Sequence, residues 1–259
     1  MKFVKQSFQN GIGILTLDND TKSNSLNLQM LDEIVYAMAD FKKKGLRVVV
    51  VRSNPGAKVW CAGLRIDQLP KPEKDPIPFE YSLEKALKSI ESFPGAVIAM
   101  IEGSVWGGGC ELAFSCDILV GSPRSTFAIT PAKIGAPYNP NQVNRVLQRV
   151  GSNIAMEMFF TASSIDAQRA RELGVLNHVV DEIRLEDFTM EIAGKIKANA
   201  PLTISLIKSQ VHQLACKTVD QLTNDPKSKR EIEKVFQSFD FSEGKKAFIE
   251  KRKPEFRGE

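Results

Sequence analysis

The sequence predicts an α/β fold in which helices cover a largely parallel sheet. Two β-branched runs, GIGILTLDN from Gly11 and LRVVVVRSN from Leu46, flank a segment of helical periodicity, which makes a β-α-β unit. Val48 to Val51 form an almost unbroken apolar run, the pattern of a strand covered on both faces. The alternation continues downstream, so the strands are expected to run parallel with helical crossovers.

The first helix is read from NLQMLDEIVYAMADFKKKG, Asn27 to Gly45, where apolar residues recur three and four positions apart. GAVIAMIEG, from Gly95, reads as a further strand, followed by a helix from about Cys110 and then by CDILVGSP as another short strand. Pro70 to Pro78 concentrate prolines and charges between elements and are expected to form a mobile surface loop of the kind that covers a site. Ser164 is expected to cap a helix that ends near Gly174. LEDFTMEIAGKIKANA and PLTISLIKSQVHQLACK read as helices, and AFIEKRKPEFRGE as a polar tail, so the C-terminal part is expected to be helical.

Composition narrows the classes. Hydrophobic residues are 42% and charged residues 25%, the balance of a globular protein rather than a disordered or membrane one. The net charge of +4 is spread among interleaved acids and bases, with no stripe suited to a nucleic-acid backbone. No run approaches the roughly 18 apolar residues of a membrane span. The N-terminus has no long apolar signal region, so the chain is expected to be mature from Met1 and cytoplasmic. Cys61, Cys110, Cys116 and Cys216 lack metal-ligand spacing and accompany only two histidines, so free thiols in a reducing compartment are expected, with no metal. His178 and His212 lie on a predicted strand and a predicted helix away from the glycine turns and read as structural.

The chemistry is carried by glycines. VWGGGCELAF, from Val105, sets three glycines before a helix that begins at Gly108 or Gly109. Its first N–H groups have no intrahelical partner, and the absent side chains let a ligand oxygen approach. Tight packing alone would also explain these glycines. A second turn, KVWCAGLRIDQL, pivots on Gly63 just after the buried strand. Two such turns at strand ends can place two backbone donors on one developing oxyanion.

CAGLRIDQL and EGSVWGGGCELAFSCDILV, followed in order by RARELGVLNHVV and AFIEKRKPEF, resemble the crotonase (enoyl-CoA hydratase/isomerase) superfamily over essentially the whole chain. The resemblance implies a crotonase (ClpP-like) α/β fold: a spiral of β-β-α repeats in an acyl-CoA-binding core over residues 1–195, and a helical trimerisation region over 196–259. It further implies acyl-CoA thioester substrates with no separate cofactor, a homotrimer or dimer of trimers, and backbone oxyanion donors at Leu64 and Gly108. The family's hydratases use two glutamates. Glu111 stands at the first place, but the second reads Ala132 in Thr130-Pro131-Ala132-Lys133, and alanine moves no proton.

GSVWGG together with Thr130-Pro131 and GAPYN is most similar, within that superfamily, to the methylmalonyl-CoA decarboxylase branch, with Tyr138 where a carboxylate-directing tyrosine would fall. Leu64 stands where that branch leads one to expect a histidine; only its backbone is required. The expected reaction is decarboxylation of a malonyl-type thioester, methylmalonyl-CoA to propionyl-CoA and CO₂, by a carbon–carbon lyase. An enoyl-CoA hydratase/isomerase running on Glu111 and a non-catalytic acyl-CoA-binding scaffold are the alternatives.

In this reading Tyr138 directs the carboxylate, while Trp106, Ala132 and Ile134 keep its surroundings poorly solvating. Glu111 either protonates the enolate or positions water, or only compensates its own helix. The substrate is further lined by Ala62, Gly63, Ile66, Gly107, Thr130 and Pro131. Lys251 is placed by family position near the coenzyme A 3′-phosphate; a solvated tail is the competing reading.

Overall fold

The computed structural model describes residues 1–65 and 77–259. It opens on a hairpin of β1 (Val4–Gln9) and β2 (Ile12–Leu17), paired antiparallel. Asn10 and Gly11 turn it, both at positive φ (51° and 73°), the conformation a two-residue hairpin loop demands. β1 is an addition to the sequence expectation, although Asn-Gly before an apolar run is its usual signal.

Helix α1 (Leu28–Lys43) starts where the Asn27 side chain accepts the Met30 N–H at 2.9 Å, and buries Met30, Leu31, Ile34, Ala37, Met38 and Phe41. After it come β3 (Val48–Ser53), β4 (Val59–Cys61), α2 (Ile77–Glu91), β5 (Ala96–Ile101), β6 (Ser104–Trp106), α3 (Gly108–Phe114), β7 (Ile118–Gly121) and β8 (Thr126–Ala128). Then follow α4 (Pro131–Ile134), α5 (Pro140–Val150), α6 (Ser152–Thr161), β9 (Ile165–Asp166), α7 (Ala167–Glu172), β10 (His178–Val179) and α8 (Glu182–Lys197). The C-terminal part is helical, as expected: α9 (Pro201–Leu214), α10 (Val219–Asn224), α11 (Pro226–Phe236) and α12 (Phe239–Ile249).

The strands divide between two sheets, ordered β1-β2-β3-β5-β7-β10 and β4-β6-β8-β9. All neighbours pair parallel except β1 with β2 and β8 with β9. The successive pairs β3–β4, β5–β6 and β7–β8 each send one strand to each sheet, which is the β-β-α spiral. The second-sheet strands are two or three residues long, too short for periodicity to show in sequence.

Val48 to Val51 are covered on both faces, as their apolar run predicts. Val49 and Val51 join the main core with α1, whereas Val48 and Val50 face Leu185 and Ala193 of α8. Trp60, fully buried, ties the two sheets by donating its indole N–H to the Met100 carbonyl at 2.8 Å. No helix among the described residues is long and apolar enough to cross a membrane.

Two sequence expectations shift. Most of the proline loop lies outside the described residues, and its last two positions, Ile77 and Pro78, belong to the first turn of α2. The helix expected from Ser164 is α7, capped by Asp166, whose side chain accepts the Arg169 N–H at 2.8 Å. Ser164 precedes Ile165 and Asp166, which pair with β8 first. The helix ends as expected, with Gly174 just past it at φ 78°. The C-terminal tail is held rather than loose. The buried Asp240 carboxylate accepts the N–H groups of Arg257 (2.6 Å) and Gly258 (2.9 Å), and Arg47, just before β3, donates to the Phe256 carbonyl at 2.8 Å.

Glycines separate by their surroundings. A Cβ on Gly109 would lie 2.5 Å from the Cys61 carbonyl oxygen, so Gly109 sets how closely α3 approaches β4. A Cβ on Gly194, inside α8, would meet nothing within 4 Å. Gly109→Ala is expected to lower stability by about 1–3 kcal/mol through overpacking. Gly194→Ala should raise it by roughly 0.5–1 kcal/mol. Urea-unfolding midpoints read both, with opposite signs.

Candidate active site

The site grows from one isolated parallel bridge, Leu26 with Leu64. The Gly63 carbonyl accepts the Leu26 N–H at 2.7 Å, and the Arg65 N–H goes to the Leu26 carbonyl at 3.0 Å. The Ala62 N–H goes to the Ser23 carbonyl at 3.0 Å. The Gly63 carbonyl and the Leu64 N–H belong to one trans peptide unit and point opposite ways, so with that carbonyl on Leu26 the Leu64 N–H is turned away from this loop. Among the described residues it has no acceptor.

The second turn is built the same way. The Gly107 N–H goes to the Ala128 carbonyl at 2.8 Å, joining β6 to β8, and Gly107 itself sits at φ 50°, ψ −122°. Gly108 is the first residue of α3, where the N–H has no intrahelical partner, and it too lacks an acceptor among the described residues.

The two free amides are neighbours. A Cβ on Gly108 would lie 3.5 Å from the Leu64 nitrogen, and one on Gly63 would lie 2.9 Å from the Gly108 nitrogen and 2.5 Å from the Trp106 oxygen. Gly63, at φ 84°, is therefore required twice, for its backbone conformation and for the close approach of the turns. The Leu64 side chain packs over Gly108. Thr130 lies beside Gly107 and leads into α4, which carries Pro131, Ala132 and Ile134. Ala132, Lys133 and Ile134 are exposed, and so is Trp106 at the end of β6. Ile66 lies outside the described residues. Lys251 is exposed just past α12, on none of the elements that carry the turns.

Glu111 lies one turn into α3 and is 1% exposed. Its carboxylate serves other elements rather than its own helix. Gln142 of α5 donates to Oε1 at 3.0 Å, Arg145 of α5 approaches Oε2 at 3.5 Å, and the Tyr138 hydroxyl is its third hydrogen-bond partner. Tyr138 also packs edge-on against Phe159, with ring centroids 5.3 Å apart.

Gln142 is oriented at both ends, because its Oε1 accepts the Asn139 N–H at 2.8 Å in the capping box of α5. Gln142 and Arg145 are absent from the sequence expectations. The signal was Asn139-Pro140, a helix start that places residues 142, 145 and 149 on one stripe.

Burial pushes the Glu111 carboxyl up to about 7, against the pull of Arg145 and of the hydrogen bonds from Gln142 and Tyr138, while Glu84 adds repulsion. Burial first, and the neighbouring Glu111 charge next, push the Tyr138 phenol well above its usual range, so it stays a proton donor. Burial likewise raises Cys61 and Cys116 to about 12, which keeps these thiols inert.

A carboxyl whose folded pKa lies above its unfolded value binds more protons folded than unfolded between the two. Stability therefore falls as pH rises through that window. Between the ordinary value of 4.5 and about 7, the protein should lose stability with rising pH, and Glu111→Gln should flatten that slope. Denaturant midpoints measured across the window check this.

The enoyl-CoA hydratase/isomerase family model matches residues 7–259. The chain is 36% identical over 249 residues to Methylmalonyl-CoA decarboxylase of Escherichia coli K12, a match spanning 96% of this chain and 95% of that one. It is 29% identical over 246 residues to Short-chain-enoyl-CoA hydratase of Clostridium acetobutylicum, spanning 94% and 93%. A solved methylmalonyl-CoA decarboxylase complexed with 2S-carboxypropyl-CoA superposes with a TM-score of 0.81 at 36% identity, over 100% of this chain and 99% of that one. An enoyl-CoA hydratase/carnithine racemase from Magnetospirillum magneticum superposes at 0.92 with 26% identity, over 100% and 97%. Matched from β1 to the final residue, and built as a two-sheet spiral with paired glycine turns, this chain belongs to the enoyl-CoA hydratase/isomerase family, the crotonase superfamily.

Proposed function

We propose that the chain decarboxylates a malonyl-type acyl-CoA thioester, converting methylmalonyl-CoA to propionyl-CoA and CO₂. The observation that carries this reading is a pair of adjacent amides at Leu64 and Gly108, without an acceptor among the described residues, with alanine at 132, where a hydratase of the family needs its second glutamate. The identity to the Escherichia coli decarboxylase supports it.

In the reaction, the bond between the α-carbon and the carboxylate breaks, and its electron pair passes into the thioester carbonyl. The resulting enolate oxygen takes the Leu64 and Gly108 N–H groups, each such donor contributing about 2.7–4 kcal/mol to the transition state. CO₂ departs, and the α-carbon takes a proton from Glu111, which regains it from water. No base is needed for the bond-breaking step.

The substrate carboxylate competes with Glu111 for the Tyr138 hydroxyl, which turns the carboxylate out of the thioester plane so that the breaking bond overlaps the carbonyl. Trp106, Ala132 and Ile134, exposed in the single chain, leave that carboxylate poorly solvated only once bound substrate covers them. Ala62, Gly63, Gly107, Thr130 and Pro131 frame the thioester, and Lys251 serves the 3′-phosphate.

A homotrimer, or a dimer of trimers, belongs to the same reading. Ile207, Val211 and Leu214 of α9, and Phe248 and Ile249 of α12, are apolar side chains left exposed in the single chain. A second reading, enoyl-CoA hydration or isomerisation on Glu111 alone, is favoured by a carboxyl that titrates near neutrality and can exchange protons with a substrate.

Mass spectrometry of the purified protein with methylmalonyl-CoA, then with crotonyl-CoA, separates the readings. Propionyl-CoA with CO₂ is expected from the first and no hydrated product from the second; the reverse pattern would transfer the assignment to hydration. Tyr138→Phe, which removes a hydrogen bond to a charged group, should lower kcat about tenfold to a hundredfold. Gly63→Ala wedges a methyl group between the two amides and should lower kcat by about 10²–10³, with circular dichroism verifying the fold.

A further inference from the structure

Arg145 lies at the centre of three carboxylates and is 8% exposed. Its Nε donates to Glu91 at 2.7 Å, one terminal nitrogen lies 3.2 Å from Glu84, and the other lies 3.5 Å from Glu111. Glu84 and Glu91 are seven residues apart on α2, Glu111 is on α3 and Arg145 on α5, so one guanidinium joins three helices. The shorter contacts go to Glu84 and Glu91, which are 21% and 23% exposed and keep some water; the longest goes to Glu111, which is 1% exposed.

One cation among three anions leaves the cluster two charges negative if all three ionise. The proton that relieves this goes to the carboxylate with least water and the weakest ionic contact. By both measures that is Glu111.

We propose that Arg145, together with Glu84 and Glu91, forms a positioning cluster that governs protonation of Glu111: its short bonds to α2 leave Glu111 undercompensated and held as an acid. The use of that proton on an enolate rests on the decarboxylation reading, whereas the charge arrangement does not. Burial is the first cause of the raised affinity of Glu111 for its proton, and the opposition of Glu84 to its ionisation adds to it in the direction the cluster requires.

Other groups near Glu111 do not account for the effect. Cys110 on its own helix and Cys61 on β4 are neutral thiols. Tyr138 is a donor that favours ionisation of Glu111. Arg149 of α5 is directed to the Phe114 and Cys116 carbonyls (3.0 and 2.6 Å), Lys88 is largely exposed beside Glu84, and Asp117 past α3 is paired with Lys208 at 2.8 Å.

The test titrates Glu111 in the substrate-free protein by infrared spectroscopy with ¹³C-labelled glutamate, the Glu111→Gln difference assigning the band. Glu84→Gln removes a competing anion and should lower the Glu111 midpoint by about one pH unit, a tenfold change in its acid-to-base ratio. Arg145→Gln removes the cation and should raise the midpoint by at least as much, with Arg145→Lys falling between it and the unaltered protein. Should Arg145→Gln fail to fold, Glu84→Gln and Arg145→Lys carry the test. Midpoints that stay unmoved, or move in the same direction in the Glu84 and Arg145 variants, would overturn the proposal. A cluster that served only packing would lower stability without these opposed shifts. The descending limb of kcat against pH for methylmalonyl-CoA should follow the infrared midpoints. Infrared shifts without that correspondence would uphold the cluster and count against Glu111 as the enolate's proton donor.

Discussion

The site depends on one backbone bridge. By pairing with Leu26, the segment around Leu64 engages the Gly63 carbonyl and the Arg65 N–H and leaves the Leu64 N–H facing the start of α3. No side chain is needed to aim that donor, so the position tolerates leucine as well as any other residue that fits over Gly108. The opposite amide is left free by a different rule, that the first residues of a helix have no partner behind them. Both are main-chain groups fixed by sheet and helix, so the donors that the proposed reaction calls on are already in place.

Around this fixed pair the family varies its side chains, and the backbone does not select among its reactions. Glu111 shows how position and chemistry come apart. It occupies a place where a carboxylate belongs in the family, yet its affinity for a proton is set first by burial and then by neighbours on α2 and α5.

Much of the architecture was legible. The β2–α1–β3 unit follows from periodicity, and the two-sided burial of Val48 to Val51 follows from an apolar run that no half-exposed strand would carry. The glycine turns were legible because positive φ and close backbone approach exclude other residues. The ionic cluster was not. Its members lie 34, 54 and 61 residues from Arg145, and nothing local records that three helices will meet there. Tyr138 is expected from the sequence to face the substrate, but its bond to Glu111 arises only when α5 docks on α3. At Asp166 the miss was local: Ser164 and Asp166, two positions apart, can both cap a helix, and pairing with β8 decided between them.

The held tail bears on how the molecule moves. Asp240 grips the last backbone amides, and Arg47, at the root of the central strand, takes hold of Phe256 from the other side. The C-terminal helices are thereby stitched to the sheet at two ends, through α8–α9 in sequence and through this clasp in space. To swing as a separate lobe they would have to break these bonds, which run from α12 through the tail to Arg47 and β3, the strand whose continuation leads to the first glycine turn.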